Sequence, residues 1–403
     1  MSTIGRTRMG IDLSSRALAA AESATLKIAS RAKSMVKSGI DVVSLSTGEP
    51  DFNTPQCAKN AAIEAINTNF THYTDSNGIY ELRAAVAEKF RNENGLADAT
   101  PETVIITTGA KQALMDALGA ICNPGDEVII PAPYWVSYPA MVTLSGATPV
   151  IISAGIDQQF KITPLQLSQA LTPRTKCVII NSPNNPTGSM YSPEELQALA
   201  DVLEDHSCYI MSDEIYEKIQ YDTVKHCSIG SFASLKGRVI TVNGVSKAYA
   251  MTGWRIGFLH APLNLLCEAG KVQGQTTSNP NSIAQLASLS ALMHGAEDVE
   301  KMRLAFVRRR ELISRLLSEI PNVSFLQPDG AFYVFVDISG VLKGSVRTAA
   351  AFCELLLDKY HLALVPGEAF GADGFVRFSF AASEETIFTA LHRFKQCIEE
   401  LSE

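Results

Sequence analysis

No apolar stretch of this 403-residue chain is long enough to cross a bilayer, so nothing in it argues for a membrane-spanning protein. Basic charge is also in deficit: 34 Lys and Arg stand against 42 Asp and Glu, a formal charge of -8. Proteins that grip nucleic acid carry basic patches that displace counterions from phosphates, so no nucleic-acid partner is expected. Paired cysteines are missing. Cys57, Cys122, Cys177, Cys208, Cys227, Cys267, Cys353 and Cys397 are scattered without a CxxC, several inside apolar runs such as KCVII and SCYIM. That is the look of buried, reduced thiols, and the expected location is cytoplasmic. The seven histidines show no HxxxH or His/Cys ligand spacing, so no metal is expected. Nor does the start read as an export signal, because Asp12, Ser14, Ser15 and Arg16 interrupt any apolar core after the early arginines.

What is present is the composition of a globular protein, 46% hydrophobic and 19% charged. The length exceeds what one hydrophobic core comfortably fills, so two lobes are expected. Short β-branched runs recur at 103 to 109, 126 to 131, 148 to 153, 176 to 181, 208 to 213 and 238 to 243. Between several of them lie amphipathic stretches such as KQALMDALGAI and SPEELQALADVLEDH, the second opening on Ser192 with Glu195 three residues on, the pattern of a capping box. Continuous apolar strands alternating with helices predict an α/β fold with a mostly parallel central sheet covered on both faces. After about residue 280 long helical stretches take over, followed by GAFYVFVDIS, which reads as a strand of a smaller α+β lobe. The cluster Arg308-Arg309-Arg310 reads as a solvated helix face. The first forty-odd residues are expected to be helix-rich.

Open α/β sheets bind ligands beyond the carboxyl ends of their strands, and several such junctions carry chemistry here. Lys247, in NGVSKAYAMTGWRIG, follows the apolar run Val239 to Val242; an unpartnered lysine buried there must be strongly penalised or lose its proton. Gly109, Ala110 and Lys111 sit where a strand gives way to a helix, so free backbone N–H groups and the helix dipole would face an anion. Taken alone, a glycine at a strand-to-helix turn is more often structural than ligand-binding. Asp213 ends a strand with Tyr216 three residues on, and could be a helix cap. Trp135 after Pro133 is either core or a flat surface for a ring. The turn NSPNNPTG would aim the Asn185 amide at a ligand oxygen.

Seven motifs, TGEPDF, GAKQ, PYW, NSPNNPTG, SDEIY, SKAYAMTGWRIG and VRFSF, occur in the order found in class I aminotransferases that use pyridoxal phosphate. The chain resembles that family along nearly its whole length, and most of all its bacterial aspartate branch, which includes aspartate/prephenate enzymes. The resemblance implies fold type I, with a large domain over 45–290 and a small domain made of 1–44 and 291–403. It implies that Lys247 forms the Schiff base with pyridoxal 5'-phosphate and carries the substrate proton, that Asp213 keeps the ring nitrogen protonated, and that Tyr216 and Asn185 donate to the ring oxygen. Trp135 would stack on the ring. The phosphate would lie on the Gly109, Ala110 and Lys111 turn with Arg255, and Tyr73 would reach the cofactor of the other subunit of a homodimer. Arg377 would clamp the substrate α-carboxylate, with Gly48 approaching the same substrate.

The resemblance also bears on substrate. The arginine that some aspartate aminotransferases place on the distal carboxylate has no counterpart motif here, whereas Ser23, Thr25 and Lys111 match the polar set used by the resembling branch; Ser23 and Thr25 read equally as helix caps. Gly244 stands where other branches carry a phosphate-contacting serine. Cis peptides are expected before Pro133 and Pro186. The expected reaction is ping-pong transfer of an amino group from L-aspartate to 2-oxoglutarate, with prephenate or an aromatic amino acid as the alternative. A lyase on the same fold would need no second 2-oxo acid. A transcriptional regulator needs a DNA-binding domain ahead of TGEPDF and ranks last.

Overall fold

The computed structural model describes residues 13–221 and 225–402; the segment carrying the early arginines and Asp12 lies outside the described residues. Two short helices, α1 (Ser15–Ala19) and α2 (Ala24–Lys37), and a short strand, β1 (Val43–Ser44), lead into α3 (Gln56–Asn67) and α4 (Tyr80–Asn94). The central sheet follows, built from β2 (Val104–Thr107), β3 (Glu127–Ala132), β4 (Thr148–Ser153), β5 (Thr175–Asn181), β6 (Tyr209–Asp213), β7 (Val239–Gly244) and β8 (Gly257–His260). Its order is β2-β8-β7-β6-β5-β3-β4, and only β8 runs against its neighbours. Sequence reading located six of these strands. It missed β8, whose four residues GFLH lie in a glycine-rich stretch with no turn signal of a hairpin.

Helices cover both faces because the strands are apolar on both. In β2, Ile105 joins a core with Leu114 and Leu118 of α5 (Ala110–Ile121), whereas Val104 and Ile106 join one with Val86 and Phe90 of α4. The helix at Pro193–Glu204 starts as expected, with Ser192 and Glu195 completing a capping box.

A four-stranded antiparallel sheet, order β12-β13-β10-β9, is made of β9 (Ser324–Phe325), β10 (Tyr333–Asp337), β12 (Val365–Pro366) and β13 (Phe375–Ser379). Beside it β11 (Leu362–Ala363) pairs in parallel with β1. The N-terminal segment divides its contacts: Ala32 of α2 packs on Leu357 and Ala363, while Arg16 of α1 donates to the Leu144 carbonyl at the end of α6 (Tyr138–Leu144).

The expectation for Arg308-Arg309-Arg310 is corrected. Consecutive helical residues point about 100° apart, so the three cannot share a face within Ala296–Ser318. Arg308 is exposed near Glu384, Arg309 is buried in a fork with both oxygens of Asp51 at 2.6 and 2.8 Å, and Arg310 is buried over the Tyr221 ring. The cis expectation is half right: Ala132-Pro133 is cis, but the second cis bond is Ser182-Pro183, and Pro186 lies within a turn closed by the Gly188 amide donating to Asn184.

Candidate active site

A cleft of about 390 Å³ opens where β5, β6 and β7 end. Asp213, the last residue of β6, is 4% exposed. Its Oδ2 accepts from the Tyr138 hydroxyl at 2.7 Å, its Oδ1 from the Ile215 amide at 3.3 Å, and its carbonyl from Asn181 Nδ2 at 2.9 Å. Burial pushes its carboxyl up to about 6 against the pull of those donors. Lys247 follows β7, and its Nζ donates to the Gly48 carbonyl at 2.7 Å. Burial lowers this amine to about 8, Glu49 opposing and Arg377 and Arg255 reinforcing the shift. Among the described residues no carboxylate pairs with it within 4 Å, so the amine is held by a carbonyl alone.

The turn before α5 has the form of an anion site. Gly109 is the N-cap at φ 80, and no side chain caps the helix, so the first amides have no side-chain acceptor. Arg255 lies against this turn: a Cβ on Gly109 would fall 2.4 Å from its Nη2. Gly257 is required for a related reason, since its Cβ would meet the Ala110 nitrogen at 2.3 Å. Gly109 underlies the turn, while Ala110, Lys111 and Arg255 line the cleft. The Lys111 amine sits 4.8 Å over the Trp135 ring, its pKa lowered by burial and then by Arg255.

On the opposite wall Arg377 of β13 is 2% exposed. It donates to Asn185 Oδ1 at 2.9 Å and to the Ser46 carbonyl at 2.6 Å, lies over the Tyr333 ring at 4.5 Å, and leaves Nε without a partner. Among the described residues it has no acid within ion-pairing distance. A buried guanidinium satisfied only by neutral oxygens has capacity for a carboxylate. Gly48 admits Tyr333, whose hydroxyl lies 2.1 Å from where a Cβ would stand and bonds to that of Tyr216 at 2.8 Å. Ser23 and Thr25 line the cleft mouth, Ser23 also capping α2 through the Leu26 amide. Tyr73 lies outside this cleft and is 90% exposed.

The fold therefore gathers Lys247, Asp213, Tyr216, Asn185, Trp135, Ala110, Lys111, Arg255, Gly48, Arg377, Ser23 and Thr25 around one cleft. Four cationic side chains face two carboxylates, Glu49 and Asp213. That balance, the uncapped helix start and the orphaned Arg377 Nε fit a phosphate-bearing ring together with carboxylate substrates.

Sequence reading missed Tyr138, Asn181 and Tyr333. Tyr138 had a signal, lying three residues after Trp135 in PYWVSY, though a tyrosine there also reads as core. Tyr333 was absorbed into an apolar strand. The fold also brings Glu214, Glu217 and His226 within 4.8 Å of one another, a grouping that no linear ligand spacing discloses. Lys89 already pairs with Glu217.

The family described as aminotransferase class I and II matches residues 40–394. The aspartate aminotransferase of Geobacillus stearothermophilus is 45% identical over 389 residues, 96% of this chain and 99% of that protein. The aspartate/prephenate aminotransferase of Cereibacter sphaeroides is 47% identical, over 93% of this chain and 95% of its own length. The solved structure of Thermus thermophilus aspartate aminotransferase with maleate superposes with a TM-score of 0.92 at 43% identity, covering 96% of this chain and 100% of that one.

Proposed function

The chain belongs to the class I and II aminotransferase family, and from that membership we propose that it moves the amino group of L-aspartate to 2-oxoglutarate by ping-pong chemistry, with pyridoxal 5'-phosphate as cofactor. The observation that carries the reading is the convergence of an amine at about 8, Lys247, and a buried carboxylate, Asp213, on one cleft. When bound, pyridoxal phosphate supplies an aldehyde carbon for the amino group and an electron-poor ring that stabilises negative charge at the substrate's α-carbon.

The chain's own residues do the rest. Asp213 holds a proton on the ring nitrogen; Tyr216 and Asn185 donate to the ring oxygen; Trp135 covers a face. The Gly109, Ala110 and Lys111 turn and Arg255 hold the phosphate. Lys247, whose amine burial lowers to about 8 so that far more of it is deprotonated at neutral pH than of an ordinary lysine, takes the α-proton and returns it. Arg377 grips the α-carboxylate in its planar fork beside Gly48. Ser23, Thr25 and the Lys111 amine, which line the cleft, receive the distal carboxylate; that the similar Thermus thermophilus enzyme was solved with maleate, a dicarboxylate, supports a dicarboxylic substrate.

Exposed Tyr73 fits a homodimer in which it serves a second copy's cofactor. The seven-stranded sheet supports a large domain over 45–290, and the four-stranded sheet with the β1-β11 pair a small one of 1–44 and 291–403. Among the described residues no helix is long and apolar enough to cross a membrane. All eight cysteines are free, which supports a reducing, cytoplasmic location. Prephenate as amino acceptor is a second reading, favoured by the name of the Cereibacter sphaeroides relative.

The test is a panel of amino acids mixed with the yellow, cofactor-loaded protein while its absorbance is followed. Aspartate and glutamate should bleach it fastest, and 2-oxoglutarate should restore it. A protein that aspartate bleaches no faster than alanine does not have this specificity, and one that cannot pass nitrogen between two carbon skeletons is not an aminotransferase.

A further inference from the structure

The turn that carries Asp213 and Tyr216 has a second, hidden side. Asp213 and Tyr216 line the cleft, whereas Glu214 and Glu217, 1% and 6% exposed, enter a polar cluster outside it. Glu214 is fully satisfied: Oε1 accepts from Ser212 Oγ at 2.8 Å and Ser228 Oγ at 2.6 Å, and Oε2 from Asn94 Nδ2 at 2.8 Å and His226 Nε2 at 3.2 Å. Glu217 accepts from the same Asn94 amide at 2.6 Å and pairs with Lys89. Asn94 closes the set, its Oδ1 accepting from Lys89 at 2.7 Å. One amide at the end of α4 thus bridges both carboxylates of the turn.

Stability alone is a weak reason for such a cluster, because buried ion pairs can often be replaced by apolar side chains without loss. What apolar packing cannot do is fix the rotation of a turn to a fraction of an ångström, which directional bonds to charged acceptors can. Lys89 pairs with Glu217, and burial would lower the His226 imidazole but Glu214 and Glu217 outweigh it and hold its pKa raised, with Lys218 and Glu93 pairing at the rim. Burial would raise the Glu217 carboxyl, but Lys89, His226 and Asn94 outweigh it and hold it at about 2. Lys89 and Asn94 claim the glutamate oxygens that a cation would need, so the grouping with His226 reads as a charge lattice and not as a metal site.

We propose that Asn94, with Lys89, His226 and Ser228, is a positioning unit that holds Glu214 and Glu217 from behind and thereby fixes where Asp213 and Tyr216 meet the cofactor. The inference rests on the cofactor reading of the cleft. None of these residues touches substrate or cofactor; they act through the turn.

The test compares Asn94→Leu with the parental protein and with Lys161→Met, which removes an ion pair to Glu195 outside the cleft. Pyridoxal phosphate affinity is measured by equilibrium dialysis, thermal unfolding by calorimetry, and kcat and KM for aspartate separately. Asn94→Leu should weaken cofactor binding roughly tenfold and lower kcat while leaving KM within about twofold, because Arg377 stands on β13. Lys161→Met should lower the unfolding temperature with no change in cofactor affinity. If Asn94→Leu melts lower yet binds the cofactor as the parent does, the cluster is structural only and the proposal fails. Should Asn94→Leu not fold, Ser228→Ala carries the same measurement with an expected loss of about threefold, and parental affinity in that variant is equally fatal. A parental protein that takes up no pyridoxal phosphate overturns the cofactor reading and this inference together, whereas equal binding by parent and variants overturns this inference alone.

Discussion

The Tyr138 hydroxyl donates to Asp213 Oδ2 at 2.7 Å inside a wall where both side chains are almost wholly buried. Burial and the neighbouring carboxylate hold the phenol's pKa well above its usual value, so Tyr138 remains a donor at any working pH. It therefore favours the ionised form of the carboxylate assigned to the ring nitrogen. Tyr138→Phe should push the Asp213 carboxyl above about 6 and weaken cofactor binding by about tenfold, the worth of one hydrogen bond to a charged group. Dialysis against pyridoxal phosphate at pH 7 checks it; parental affinity in the phenylalanine variant would refute the assignment.

Lys247 attacks an aldehyde only as the free amine. Its pKa of about 8 against 10.5 for an ordinary lysine means that cofactor uptake by the cofactor-free protein should accelerate with pH and level off just above 8. Stopped-flow uptake rates from pH 6 to 10.5 measure this, and a plateau reached only near 10.5 contradicts it. Lys247→Ala should lower amino transfer by about 10⁴-fold while keeping part of the noncovalent cofactor affinity.

Asp213 makes the cofactor-free chain less stable than it would otherwise be. Its folded pKa of about 6 lies above the 3.8 of an unfolded aspartate. Its contribution is fully present below 3.8 and is lost as pH rises through about 6. Asp213→Asn should then stabilise the cofactor-free protein at pH 7 by the order of 3 kcal/mol, while disabling amino transfer. Urea unfolding of both proteins at pH 4 and pH 7 tests the sign: the gap should appear only at the higher pH.

The two ends of the substrate are separable by mutation. Arg377→Lys loses the planar fork and should cut kcat/KM about 100-fold for aspartate and alanine alike. Lys111→Ala keeps the backbone amide and should cut it about 10-fold for aspartate only. Kinetics with both amino acids decide it, and a Lys111 variant equally impaired on alanine would move that amine away from the distal carboxylate.

Arg309 ties the helix Ala296–Ser318 to the segment that carries Gly48, through its fork on Asp51 and its packing over Phe52 at 4.8 Å. Arg309→Leu should destabilise the protein by about 2 kcal/mol, read as a lowered unfolding temperature; no change would return Arg309 to the status of a solvated charge.

Six strands of the central sheet were legible because each is a short apolar run with its own flanking signals, and the Ser192 cap was legible because a capping box is local. Strand β8 was not, since reversing one strand in a parallel sheet is a matter of tertiary pairing. The second cis bond fell one turn earlier than expected, before Pro183, because the same asparagine- and proline-rich segment offers several bends and the surrounding packing selects among them.

By itself the sequence determined the reactive groups and their order: a lysine after one strand, an aspartate at the end of another, a glycine turn before a helix and an arginine near the C-terminus. Those are choices of chemical type, and motifs record them. Only the tertiary structure decided that Arg377 and Lys247 would lack an acidic partner among the described residues, that Tyr138 and Tyr333 would act from the walls, and that Glu214 and Glu217 would turn away into a shared lattice with Asn94. The physical reason is that pKa, hydrogen-bond satisfaction and burial belong to neighbours in space. In this chain, those neighbours are drawn from residues as far apart in sequence as Ser46 and Arg377.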